Sequence, residues 1–178
     1  TRTPASAGNR KTFTISAWFK KNPLVVQNIM YSNVSQESVY QFTSTGQINY
    51  YEYSGGYTSR LLTNALLRDS SAWYHIVLAV DTTQATSSNR LKMYVNGEQV
   101  TSFSAATYPS QNFESYNINN NSLQTIGANN GNDGFSGSMS HFNFIDGTAY
   151  DASAFGSTDA TTGEWKINTS PSVTYGTN

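Results

Sequence analysis

The 178-residue chain contains no cysteine, which excludes a disulfide framework and any thiolate-bound metal. It is also poor in charge. Asp, Glu, Lys and Arg make up 12% of residues and the net charge is −1, against a usual charged fraction of about a quarter. The longest basic run is Lys20-Lys21, so electrostatic binding to nucleic acid or an anionic membrane surface has no basis. No apolar run approaches the ~20 residues of a membrane span, and membrane insertion is not expected. The chain opens on the polar Thr1-Arg2-Thr3-Pro4, with neither a leader-like apolar stretch nor an initiator Met, and reads as a processed or excised piece. Helical periodicity is almost missing.

What is present is apolar residues at 37%, enough for one β domain with a real core. The polar surface must come from Ser, Thr, Asn, Gln and Tyr, which suit strands, turns and neutral hydrogen bonding. Alternation with period two recurs. Phe13, Ile15, Ala17 and Phe19 alternate with Thr12, Thr14, Ser16 and Trp18. Tyr74, Ile76, Leu78 and Val80 do the same, as do Leu91, Met93 and Val95. Each apolar set is predicted to face a second sheet across a core. The expected strands lie near residues 12–20, 28–33, 39–43, 47–53, 58–62, 74–81, 90–96, 99–103, 123–127 and 135–145. Asn96-Gly97 between two such runs predicts a tight hairpin. Residues 104–122, rich in Ser, Asn and Gln, read as a long surface loop. Asp151 is predicted to cap one short helical turn that Gly156 ends. The domain is expected to span residues 1–166, with residues 167–178 as a tail or linker.

Trp73-Tyr74-His75-Ile76-Val77-Leu78-Ala79-Val80-Asp81 followed by Leu91-Lys92-Met93-Tyr94-Val95-Asn96-Gly97 resembles the core of laminin-G-like and concanavalin A-like jelly rolls. Phe13-Thr14-Ile15-Ser16-Ala17-Trp18 is similar to their opening strand. Ile126-Gly127 with Phe135-Ser136-Gly137-Ser138-Met139 is similar to their ending. The resemblance runs from about residue 12 to 147 and implies an all-β, two-sheet antiparallel jelly-roll sandwich. Ser6-Ala7-Gly8-Asn9-Arg10-Lys11, Phe144-Ile145-Asp146-Gly147 and residues 155–166 further resemble a version of this domain found in bacteriophage virion proteins such as tail fibres and capsid-associated proteins. That resemblance implies a location on the virion surface, with other virion proteins, a glycan or further copies of the chain as partners. In that group another strand usually precedes the segment matching Arg2-Thr3-Pro4. Its absence implies a cut fragment or a strand supplied by a neighbour. Where members often carry Glu in the last strand, this chain has His141.

Some jelly rolls are glucanases. Their retaining mechanism needs two carboxylates ~5–5.5 Å apart, carried on an E-x-D-x-E strand. No such triplet occurs, and the eleven acids are scattered singly. The two histidines, His75 and His141, read as packed strand residues, and no G-x-S-x-G elbow is present. No catalytic residue is assigned. Laminin-G-like domains often hold Ca²⁺ at the sandwich rim. Residues 129–134 offer oxygen ligands for it through Asn130, Asn132 and Asp133, although the same composition makes an ordinary tight turn.

Carbohydrate recognition calls for aromatic faces beside neutral hydrogen-bonding groups. Tyr50-Tyr51-Glu52-Tyr53, then Gly55-Gly56-Tyr57, is the densest aromatic run. If Ile48 and Tyr50 face the core, Tyr51 and Tyr53 share the other face, with Tyr57 on the adjoining turn. The alternative is that tyrosines merely cover a pleated surface. Trp18, on the polar side of its strand, either stacks on a ligand or packs under a loop. Asn112 and Tyr116 in the long loop are further candidate contacts. Three readings follow: a non-catalytic glycan-recognition domain of a phage particle, a purely structural virion domain, or a glucanase-like hydrolase.

Overall fold

The computed structural model describes residues 1–22, 25–129 and 134–177. Among them the chain forms β1 (Thr12–Lys21), β2 (Gln27–Asn33), β3 (Glu37–Phe42), β4 (Ile48–Tyr53), β5 (Tyr57–Thr63), β6 (Tyr74–Asp81), β7 (Leu91–Val95), β8 (Glu98–Gln99), β9 (Phe103–Thr107), β10 (Thr125–Ile126), β11 (Gly137–Asp146), β12 (Gly156–Thr158) and β13 (Trp165–Ile167). A five-stranded sheet runs β11-β1-β6-β7-β8, and a six-stranded sheet runs β10-β2-β3-β4-β5-β9. All pairings are antiparallel. The two sheets make the expected jelly-roll sandwich, and β12 with β13 forms a separate hairpin.

The core follows from the alternation. Phe13, Ile15, Ala17 and Phe19 of β1 and Ile76, Leu78 and Val80 of β6 meet Tyr40, Phe42, Ile48, Tyr50 and Leu61 of the other sheet. Phe19 and Phe42 pack edge to face at 5.5 Å between ring centres. Burying each such side chain contributes about 1.5–3 kcal/mol. The Asn96-Gly97 hairpin has positive φ at both residues, 48° and 87°. The Asn96 side chain also accepts the His75 backbone N–H at 2.8 Å.

Three expectations need correction. First, the strand placed at residues 99–103 is two strands in different sheets. Val100 N–H still bonds Met93 C=O at 2.8 Å, while Ser102 C=O accepts from Asn64 N–H at 3.2 Å beyond β5. The chain crosses from one sheet to the other between these bonds. Second, residues 104–122 are not all surface loop. They begin as β9, and Ser115, Asn117, Ile118, Asn119 and Ser122 are buried. The cause is Glu52, which alternation carries into the interior. Its carboxylate accepts from Ser38 Oγ (2.6 Å), Tyr50 OH (2.9 Å), Ser115 Oγ (2.5 Å) and Tyr116 N–H (3.0 Å). The loop is pulled in to supply two of these donors, and Ile118 then enters the core. Burial raises the Glu52 pKa, against the pull of those hydrogen bonds.

Third, the side of β1 read as polar belongs to an outer sheet face that is partly covered by the chain. Val77, Ala79, Tyr94 and Ile145 are covered by Ala152 and Phe155, flanked by Tyr150, Trp165 and Val173. Asp151 does cap the short 3-10 turn Ala152–Ala154, accepting from Ser153 N–H at 2.9 Å. Gly156, however, is needed for close approach. A Cβ there would lie 2.7 Å from the Trp165 ring. The segment after residue 166 returns to β11, where Tyr175 C=O accepts Asp146 N–H at 2.9 Å. The Asp146 carboxylate itself accepts from Asn9 N–H (2.7 Å), the Asn119 amide (2.6 Å) and Thr177 Oγ (3.0 Å). Burial works to raise its pKa, but these bonds hold it below the usual carboxylate value.

His75 lies under this cover. Trp165 Nε1–H can only donate, so His75 Nδ1 accepts it at 3.0 Å. The neutral ring therefore carries its proton on Nε2 and donates to Ser16 Oγ at 2.9 Å. Burial lowers the His75 pKa from 6.5 to about 4. Between those values the unfolded chain binds the extra proton, so His75's contribution is complete above pH 6.5 and declines as pH falls toward 4. A shift of that size is worth on the order of 3 kcal/mol. Urea titrations of wild type and His75→Gln should show a stability difference that shrinks by about that amount between pH 7 and 4, and a pH-independent difference would refute the assignment. Glu52→Ala leaves Tyr116 N–H without its acceptor and should cost about 3 kcal/mol. Glu52→Gln should cost much less. The hydroxyls of Tyr50 and Ser115 can turn to accept from the new amide, and calorimetric melting of the two variants gives the comparison.

Candidate functional site

The outward face of the six-stranded sheet is built by the same alternation that fills the core. Tyr40, Tyr50 and Leu61 point inward, so their neighbours Val39, Tyr51 and Arg60 point out. The register lines up Thr125, Tyr31, Val39, Tyr51, Arg60 and Thr107 across all six strands. A second row holds Asn33, Glu37, Tyr53 and Tyr57. A third row includes Gln41, Asn49 and Leu62.

Tyr51, Tyr53 and Tyr57 form one cluster. The Tyr57 ring stands edge-on to Tyr51 at 5.6 Å and to Tyr53 at 5.3 Å. The Arg60 guanidinium lies 4.4 Å from the Tyr57 ring centre, a cation–π contact. Arg60 Nε also donates to Asn49 Oδ1 at 3.3 Å. Tyr51 OH donates to Glu37 Oε2 at 3.1 Å, which holds its ring in place. Burial, reinforced by the Glu37 charge, pushes the Tyr51 pKa up, so the phenol stays a neutral donor. Tyr53 and Tyr57 remain 38% and 45% exposed. The face thus offers aromatic surfaces for an apolar ligand face, with an amide, a carboxylate and a guanidinium for hydroxyls beside them.

The other sequence candidates lie elsewhere. Trp18 sits on the outer face of the five-stranded sheet, on the far side of the sandwich, stacked on His75 at 5.0 Å. It lines a separate cavity on that side and does not join the tyrosines. Tyr116 reaches the rim of the cluster, sharing a 2.7 Å hydrogen bond with Thr58 Oγ beside Tyr57. Asn112 does not reach it; its N–H bonds Thr82 C=O at the end of β6. Asn130, Asn132 and Asp133 fall outside the described residues, so the calcium reading has no geometry. Among the described residues no group of three His, Asp or Glu is placed to hold a metal. Glu37 and Glu52 come from neighbouring strands but point to opposite faces, so they do not form an opposed carboxylate pair.

Residues 1–153 match the family model of the concanavalin A-like lectin/glucanases superfamily. The chain belongs to this superfamily. Solved structures with TM-scores above 0.5 share the fold at low identity. A heptameric SAP-like pentraxin from Limulus polyphemus aligns at 14% identity and a TM-score of 0.55, over 82% of this chain and 68% of that one. A proposed carbohydrate-binding protein from Bacteroides ovatus aligns at 16% and 0.52, over 96% of this chain and 57% of that one. The CBM40 of a Ruminococcus gnavus sialidase, bound to α2,3-sialyllactose, aligns at 16% and 0.48, over 75% of each chain. No relative is found among curated proteins.

Sequence reasoning missed Arg60, Glu37 and Asn49 as members of the tyrosine face of this lectin-like domain. The signal was available in part. Counting by twos from Leu61 puts Arg60 outward, but its place beside Tyr51 depends on the β4–β5 register, which shifts between Glu52 and Tyr53.

Proposed function

We propose that the domain recognises carbohydrate without catalysis, through the outward face of the six-stranded sheet, as part of a bacteriophage particle surface. The observation that carries this reading is the Tyr51–Tyr53–Tyr57 cluster with Arg60 against it, set on a sheet face that keeps two of its rings exposed. Ring faces would take the C–H side of a sugar, and Arg60 and the Tyr51 phenol its hydroxyls. The Bacteroides ovatus neighbour, itself described as a proposed carbohydrate binder, supports the ligand class. The resemblance of residues 6–11, 144–147 and 155–166 to phage virion domains supports the location. No helix among the described residues is long and apolar enough to cross a membrane.

Binding should be found on a broad array of bacterial surface glycans. Tyr53→Ala and Arg60→Ala should each weaken it by about tenfold, while the stability of Tyr53→Ala changes by less than about 1 kcal/mol. Absence of any glycan binding, or binding indifferent to both substitutions, would remove the reading.

A purely structural virion role is favoured by a different observation. A cavity of about 400 Å³ opens at the seam between the two sheets, lined by Met30, Ile126, Phe142 and Phe144. There β11 and β10 are both sheet edges. If assembly uses this seam, sedimentation should show self-association that Ile126→Asp abolishes. A strictly monomeric chain at high concentration would argue against assembly of the chain with itself.

A further inference from the structure

All three tryptophans of the chain line one cavity. It has a volume of about 520 Å³, within the ~300–1,000 Å³ range of small-ligand sites. It lies on the outer face of the five-stranded sheet, opposite the tyrosine face. Its walls come from β1, Trp73 just before β6, β11, and the 164–167 segment that contains β13, and include Glu164, Trp165 and Lys166. Those three residues lie beyond the 1–153 span that matches the superfamily, so the cavity depends on a segment outside the matched domain.

Two of the indoles pack against His75. Trp165 is bounded by two glycine backbones, since a Cβ on Gly97 would sit 2.5 Å and one on Gly156 2.7 Å from its ring. Its N–H is tied to His75, and Trp18 stacks near-parallel on the same imidazole, 20° between planes. Two indoles are therefore positioned through one buried neutral histidine. Trp73 is 41% exposed.

Two further observations concern residues that line the cavity. β11 carries a bulge opposite Ser16–Trp18, and within it His141 adopts φ +48°. A non-glycine residue in the left-handed region is disfavoured, and bulges commonly re-aim a side chain beside a site. His141 lines the cavity. In addition, Trp18 Nε1–H is buried with no acceptor among the described residues, which is costly unless an acceptor is supplied.

We propose that this three-tryptophan cavity is a second ligand site, and that it takes a pyranose unit of a neutral glycan. Indole faces match the C–H face of the ring. Ring or hydroxyl oxygens supply the acceptor that Trp18 lacks, with a small turn of that indole, and partner His141 and Lys166 at the rim. A quaternary ammonium ion would also suit an aromatic cage, but it has no acceptor for Trp18. An anion finds little net attraction, because Lys166 is already paired with Asp159 at 2.7 Å and Glu164 stands beside it. The site shares no residue with the tyrosine face and stands or falls separately from it.

The test uses the three indole N–H resonances of the ¹⁵N-labelled chain. Tetrasaccharides of glucose, galactose, mannose and N-acetylglucosamine are titrated, with tetramethylammonium as the contrasting probe. At least one saccharide should move the Trp18 and Trp73 signals saturably, while the Trp165 signal, fixed on His75, moves less. Trp73→Ala should weaken that titration by about tenfold and keep the Trp165 signal in place, which shows that the fold is intact. Tyr53→Ala should leave it unchanged. Indole signals that stay still for every saccharide overturn the proposal, even if signals from β4 and β5 move. A response to tetramethylammonium without one to saccharides overturns it as well.

Discussion

A buried carboxylate that engages four hydrogen-bond donors, and takes part in no ion pair among the described residues, organises one end of this sandwich. Glu52 belongs to the strand that presents Tyr51 and Tyr53 on its other side. A strand has only two faces, so one residue of slip in β4 would turn the tyrosines inward and expose the acid. Satisfying Glu52 with Ser38, Tyr50, Ser115 and Tyr116 therefore fixes the register of β4 and draws the 115–118 segment over the end of the core. The aromatic display outside depends on that polar anchorage inside.

The two sheets treat their outer faces differently, and the composition of each face accounts for it. On the five-stranded sheet Val77, Ala79 and Ile145 project away from the main core. Leaving them in water would forgo the gain from burying them, and the chain after Gly147 folds back to cover them. On the six-stranded sheet the outward rows are mostly tyrosine, hydroxyl, amide and charged side chains, which tolerate solvent, with Val39 buried among them. One face has become a second core with a tryptophan-lined opening, and the other has remained a surface.

Much of the sandwich was legible before the structure. The alternating rows of β1, β6 and β7, the Asn96-Gly97 turn and the Asp151 cap all depend on local chemistry, which a linear reading captures. The placement of Tyr51 and Tyr53 opposite Ile48 and Tyr50 follows from period two alone. The same count places Glu52 inward, yet a lone acid in a strand reads as surface until its donors are known. Ser115 and Tyr116 are more than sixty residues away. Long-range partners likewise hid the convergence of Trp18, Trp73 and Trp165, and the crossing of the chain between sheets after β8. Val77 and Ala79 were a local hint that the supposed polar face was covered, but only the folded chain shows by what.

Asp146 ties together Asn9, Asn119 and Thr177, positions spread over nearly the whole chain. Such a shared latch makes the leading segment, the core-plugging loop and the returning C-terminal segment one cooperative unit rather than three separately fraying pieces. Amide protons in all three should exchange with a common opening rate. A protease that gains access to one of them would then find the other two already undone.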